Sequence, residues 1–377
     1  MNPLEINRRH FFGRTATGIG GVALASLLNE NLFAKPKLPD LLSGLPGVPH
    51  FAPKAKRIIY LFQSGAPSQV DLFDHKPSLE KLNGKDLPDS IRRGQRLTGM
   101  TSRQKNFPAA KSFSPFRPHG QSGMQLSDLL PWHAKIVDEM CLIRSMHTEA
   151  INHDPAITFF QTGHQQPGRP SFGAWVNYGL GTLNENLPQF IGMGPRYFDR
   201  SDGHYLGPTF DEVKLKIDPK NPLDYARPEG DITSAEQLLG FGLVNRLNRL
   251  SQKDYPNDAK LEARIKSYEL AYRMQTSVPG VVNFDAETEA TKKLYGFDQK
   301  ETKPFGQQLL AARRFVERGV RFIQIMHGSG AAGAWDQHSN LKAKHSELAM
   351  QVDRPVAGLL KDLKSRGMLD ETLVVFA

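Results

Sequence analysis

The spacing of apolar residues changes along this chain, and each change marks an element. Residues 57–62 form a short run, Arg57-Ile58-Ile59-Tyr60-Leu61-Phe62, that ends in Ser64-Gly65-Ala66-Pro67. That is the pattern of a buried strand feeding a loop. Residues 140–144 and 189–193 read as two further strands. Residues 76–116 are polar, basic and turn-rich, an excursion over the surface. Residues 126–139 have helical spacing, interrupted at Pro131. Asp154-Pro155 opens a helix that stops at Gly163, the acid as its cap and the proline at its first position. Pro170-Ser171 opens another, which runs through Trp175 and Tyr178 to Gly179. Residues 199–231 read as loop, and helical stretches follow at 234–250, 258–275 and 287–295, forming either an insertion (234–295) or a face of a sheet.

The last part of the chain has the clearest pattern. Residues 305–318 form an amphipathic helix ended by Gly319. A strand at 320–326 leads to His327-Gly328, and a long helix spans 340–366, with a kink expected before Pro355 and a stop at Gly367. Residues 372–376 form a final strand. Helix–strand–helix–strand order predicts an α/β fold with a mostly parallel sheet and right-handed crossovers.

Composition changes this picture little. The chain has 377 residues, 39% hydrophobic and 23% charged, enough for one large globular domain. Its formal net charge of +9 is spread out, with short clusters at Arg92-Arg93 and Arg313-Arg314. With no RNA-recognition signature and no zinc-finger spacing, it reads as a basic solvated surface and not as a nucleic-acid face. Cys141 is the sole cysteine, so neither an internal disulfide nor a cysteine metal cluster can form. Its apolar neighbours predict a buried structural thiol.

The N-terminus reads as an address. Asn7-Arg8-Arg9-His10-Phe11-Phe12-Gly13 resembles a twin-arginine export signal, followed by an apolar Gly/Ala-rich run over 16–28 and Ala34 as a cleavage position. The competing reading is an amphipathic helix packed on the domain. The expected division is a signal at 1–34, a proline-rich linker at 35–56 and one domain at 57–377. The expected location is the periplasm or cell exterior. No later stretch reaches the roughly 20 apolar residues of a membrane span.

Candidate chemistry concentrates in residues 147–173, HTEAINHDPAITFFQTGHQQPGRPSFG, where His147, His153 and His164 stand beside Glu149 and Asp154. Imidazole and carboxylate bind transition metals or move protons near neutral pH. His153-Asp154 reads either as a catalytic or ligand pair at a helix start or as a capping acid beside a structural histidine. Asp336 and His338, in Trp335-Asp336-Gln337-His338, follow His327 and the flexible segment 328–333; they read as metal ligands or as a helix cap. His147 is a weaker ligand candidate, as are His164 and His204. Ser64 and Ser68 lack a nucleophile-elbow pattern, and Gly65-Ala66-Pro67 is no phosphate loop.

Two stretches resemble the alkaline phosphatase and sulfatase superfamily. One is residues 347–376, with Asp353, Gly358-Leu359-Leu360, Leu363, Gly367 and Asp370-Glu371-Thr372 before an apolar strand. The other is Phe160-Gln161-Thr162-Gly163, which is similar to the end of the sulfatase nucleophile helix. The chain more closely resembles a family of twin-arginine-exported, sulfatase-like proteins of unknown activity. That likeness rests on residues 65–74, Asn152-His153-Asp154-Pro155, Gly168-Arg169-Pro170-Ser171 and Trp335-Asp336-Gln337-His338-Ser339. It implies a three-layer αβα sandwich, alkaline phosphatase-like, with divalent metal at the carboxyl ends of the strands. The candidate metal ligands are Asp336, His338, Asp71 and His147, and the candidate catalytic residues are His153 and Asp154. The register places His153 where sulfatases keep Cys or Ser, and Ile157 where they keep a supporting arginine. Gln63 stands where the superfamily has a metal-binding Asp, a gap that Asp71 or Asp74 fills only if its loop folds back. The superfamily places further ligands just beyond the last strand, so the chain is expected to be incomplete after Ala377. The implied function is exported, metal-dependent hydrolysis of sulfate or phosphate esters, on a small molecule or a polysaccharide. Direct attack by water or covalent attack by His153 would then replace the missing nucleophile. The alternative is a non-catalytic relative that binds extracellular anionic polymer or a protein partner.

Overall fold

In a computed structural model of the chain, the described residues are 54–377 apart from 93, 95–98, 100, 196–199, 224–232, 256–257 and 329–332. The expected export signal (1–34) and most of the expected linker (35–56) therefore lie outside them. The centre is a five-stranded sheet built from β1 (Arg57–Gln63), β4 (Phe190–Met193), β5 (Val213–Leu215), β6 (Phe322–His327) and β7 (Thr372–Phe376), in the order β5-β4-β6-β1-β7. All its pairings are parallel; β1 lies between β6, with Gln63 opposite His327, and β7, with Leu61 opposite Phe376. A separate antiparallel hairpin pairs β2 (Phe116–His119) with β3 (Met124–Ser127).

Both faces of the sheet are apolar because side chains alternate along each strand. Ile59, Leu61, Ile191, Met193, Ile323 and Ile325 share one face, while Tyr60, Phe62, Phe190, Phe322 and Met326 share the other. The second face is covered by Ile157 of α1 (His153–Thr162) and Val176 of α2 (Phe172–Leu180). Between these helices and β6 come α3 (Ser234–Asp254), α4 (Ala259–Val282), α5 (Glu289–Leu294) and α6 (Lys303–Glu317), with α7 (Leu341–Ser365) after it. Leu309, Leu310 and Phe315 of α6 and Val352, Leu359 and Leu363 of α7 fill the first face. Residues Val278, Val281 and Val282 anchor the end of α4 in that core. Gln237 and Phe241 of α3 meet Gln275 and Tyr272 of α4, so the two helices run antiparallel.

Several expectations are corrected. Residues 126–139 are not a helix: β3 takes the start, and two 3-10 turns, His133–Lys135 and Val137–Glu139, take the rest. Pro131 breaks the helical register, and Asp353 of α7 accepts hydrogen bonds from Trp132 N, His133 N and His133 Nδ1 at 2.7–2.8 Å. Residues 140–144 are not a strand; Ile143 is exposed and so is Cys141, contrary to the buried thiol expected. Among the described residues no strand pairs with this apolar run. Arg313 and Arg314, taken as a basic surface cluster, are buried. Glu287 and Glu317 pair with Arg313, and Asn283 O accepts from Arg314. The N-cap of α1 is Asn152, not Asp154, which lies inside the first turn. The long helix expected at 340–366 is present as α7, Leu341–Ser365, with Pro355 inside it. Among the described residues no helix is long and apolar enough to cross a membrane.

Candidate functional site

Parallel strands end on one edge of the sheet, and loops that leave this edge build a crevice. Three strand ends matter: Gln63 of β1, Met193 of β4 and His327 of β6. The loop before α7 is locked onto them by glycine. Gly65 has φ +96°, and a Cβ there would lie 2.5 Å from Asp336 N; Gly333 has φ +92° and packs on the Ser64–Gly65 backbone. Only glycine tolerates both the left-handed conformation and the contact.

From Gly333 onward the side chains alternate. Trp335 is buried, its backbone N–H donates to Ser64 O (3.1 Å) and its Nε1–H to His327 Nδ1 (3.0 Å). Gln337 Oε1 meets His345 Nδ1 at 2.8 Å, and His345 Nε2 accepts from Ser68 N at 3.1 Å. These inward contacts hold the intervening Asp336 and His338 toward solvent. Asp336 Oδ2 then lies 3.0 Å from His153 Nε2 and 2.8 Å from His338 Nε2. The structure thus joins His153, at the start of α1, to Asp336, 183 residues later, through one carboxylate oxygen.

The tautomers follow from the partners. A carboxylate only accepts, so both Nε2 atoms carry the hydrogen when the imidazoles are neutral, and Nδ1 of each is the basic nitrogen. His327 accepts at Nδ1 and is left to donate from Nε2 to Gln351 Oε1 at 3.2 Å. Burial lowers its pKa from 6.5 to about 4, so it is a neutral structural group at physiological pH. His345 is also lowered by burial, against an opposing pull from Asp71.

The other expected residues fall elsewhere. Asp154 pairs through Oδ1 with Arg200 Nη2 at 2.7 Å and meets Thr158 Oγ1 at 3.3 Å; the carboxylate that contacts His153 is Asp336, not its sequence neighbour. Asp71 is buried; its carboxylate accepts from Ser68 Oγ at 2.6 Å and Phe113 N at 3.0 Å and so ties down its own loop. Asp74 pairs with Lys76. His147 is exposed, and His164 closes its own turn by accepting from Gln166 N. Among the described residues neither Asp71 nor His147 shares a hydrogen bond with Asp336. Nor is any group of three or more His, Cys, Asp or Glu side chains there arranged to hold a metal ion.

One residue escaped the sequence reading of the site, and another, Gln63, entered it only as a departure from the superfamily. Arg200 reaches Asp154 and Thr158 from a distant loop, so no local pattern announces it. Gln63 had a signal: it is the polar residue that ends an otherwise apolar strand. It is buried, and among the described residues neither atom of its amide group has a partner.

Fold and site together define an α/β protein whose parallel sheet carries a histidine–carboxylate–histidine cluster at its carboxyl edge. The chain belongs to the family described as Protein of unknown function (DUF1501), whose sequence pattern matches residues 55–377. No curated protein and no solved structure matches it.

Proposed function

We propose that the protein is an exported hydrolase of sulfate or phosphate esters, with an alkaline phosphatase-like fold and its reacting centre at His153, Asp336 and His338. The observation that carries this reading is the shared carboxylate oxygen: Asp336 Oδ2 within 3.0 Å of His153 Nε2 and 2.8 Å of His338 Nε2. A carboxylate that holds an imidazole by one nitrogen orients it, and makes the other nitrogen a better proton acceptor. His153 Nδ1 then takes the proton of the water whose oxygen bonds to the sulfur or phosphorus, and His338, in its imidazolium form with hydrogen on both ring nitrogens, gives its Nδ1 proton to the ester oxygen as that bond breaks. Arg200, held by Asp154 and Thr158 beside the start of α1, brings a permanent positive charge to favour an anionic ester.

Two imidazoles and a carboxylate are the donor types that zinc-like ions take, but as they stand these three are tied to one another by hydrogen bonds and are not arranged around a cation. A divalent ion would be held by His153, Asp336 and His338 only if their side chains turned from these contacts, and it would then polarise the ester oxygens. A non-catalytic reading, binding of an extracellular anionic polymer, is favoured by the net charge of +9 and by Ile157 where the superfamily arginine is expected.

Turnover of aryl sulfate and aryl phosphate, with and without added divalent metal, tests the proposal. Asp336→Asn and His153→Ala should each lower kcat about 100-fold or more. A full-length protein that turns over neither ester with any metal, yet binds sulfated polymer, would establish the non-catalytic reading.

A further inference from the structure

Helix α3 is built inside out. The side it turns to α4 carries Gln237, bonded to Gln275 at 2.7 Å, and Phe241, stacked on Tyr272, with half-buried Asn245 and Asn248 at the same helical positions. Residues two apart on a helix stand about 200° apart, so Leu239, Leu243, Leu247 and Leu250 occupy the opposite side. They are 74%, 60%, 54% and 53% exposed. A surface helix ordinarily buries its leucines and exposes its amides; here the order is reversed. Gly240 and Gly242 flank the leucine stripe, one on each side, with nothing near their Cβ positions. Each glycine weakens an exposed helix by about 1 kcal/mol, but together they leave room for a second backbone to approach.

The charges say what covers the stripe. Its N-terminal turn carries Glu236, and its C-terminal part carries Arg246, Arg249 and Lys253, a net positive end even with Asp254 as the last residue. A parallel neighbour of the same sequence would set like charges together at both ends. An antiparallel one puts Glu236 against Lys253 and, in the same register, Leu239 against Leu250 and Gly242 against Leu247. We propose that the leucine face of α3 is a self-association surface, on which a second copy of this chain docks its own α3 antiparallel about a two-fold axis. Such an isologous contact closes on itself and makes a dimer, not a filament. It is independent of the ester-hydrolysis reading.

Sedimentation equilibrium of the full chain tests it. The wild type is expected to dimerise, and Leu243→Glu with Leu247→Glu to be monomeric with an unchanged far-ultraviolet circular dichroism spectrum, because both leucines are already exposed. Lys253→Glu should raise the dissociation constant about tenfold, since two symmetry-related pairs are lost at once. Adding Glu236→Gln, which preserves the capping box with Thr233, should recover part of that loss by removing the like-charge contact. A wild type still monomeric at about 100 µM overturns the proposal, and so does a dimer indifferent to the leucine substitutions. A monomer that binds lipid vesicles through α3, or whose α3 is shielded by residues 1–53 in hydrogen exchange, assigns the face to another occupant and overturns it equally.

Discussion

Acidification from about pH 7.5 to about 4 protonates His327 in the unfolded chain well before the folded chain accepts the proton. The cause lies in its surroundings: the imidazole is sealed behind Phe305 and Trp335, Nδ1 is already taken by the Trp335 Nε1–H, and burial holds the folded pKa near 4 against an ordinary 6.5. Below 6.5 the unfolded state therefore binds one more proton than the folded state, and stability falls with pH until the folded pKa is reached. Each tenfold difference in proton affinity is worth about 1.4 kcal/mol, so this residue alone removes about 3 kcal/mol between pH 6.5 and 4. Urea unfolding followed by tryptophan fluorescence reads the effect directly, because Trp335 contacts the ring. His327→Gln keeps polar contacts but cannot titrate, so the variant should lose about 3 kcal/mol less than the wild type over this range. Identical pH dependence in the two proteins would refute the assignment of His327 as a buried neutral group.

Asp353→Ala should lower stability by about 3–5 kcal/mol, because it strands Trp132 N, His133 N and His133 Nδ1 together; a thermal melt within 2 °C of wild type would contradict this. Gln63→Met should stabilise the fold by about 1–2 kcal/mol while weakening turnover, since it removes a buried amide without partners beside the site. Gly65→Ala should displace Asp336 and abolish turnover while the β6–α7 core melts cooperatively, because the new Cβ would meet Asp336 N at 2.5 Å at φ +96°. Wild-type kinetics in that variant would show that the loop is not held as described.

The elements that periodicity predicted well are those whose burial is set by their own strand or helix. β1, β6, β7, α1, α2 and α6 carry a strong apolar period and glycine stops such as Gly163 and Gly319, so their boundaries lie within a few residues of expectation. Residues 126–144 misled because their backbone partners are remote: Asp353, far along the chain, satisfies Trp132 and His133 where a local helix was expected. β5 escaped because three residues carry too little pattern, and only pairing with β4 makes them a strand. In the site, Asp336 and His338 stood out as a dipeptide-spaced pair, and His153 by its place at a helix start. That one carboxylate would bind both histidines was not legible, since it depends on Gly65 and Gly333 closing the loop on β1.

The strand order also sets a schedule for synthesis. β1 pairs only with β6 and β7, and the contact between Lys56 and Arg321 spans 265 residues. At about 5–20 residues per second, the sticky sequence of β1 waits roughly 15–50 s for its first strand neighbour. During that interval Ile58 to Phe62 has both edges open to any passing strand. Early packing of Ile157 of α1 and Val176 of α2 on its aromatic face would cover one side of that segment before β6 is made.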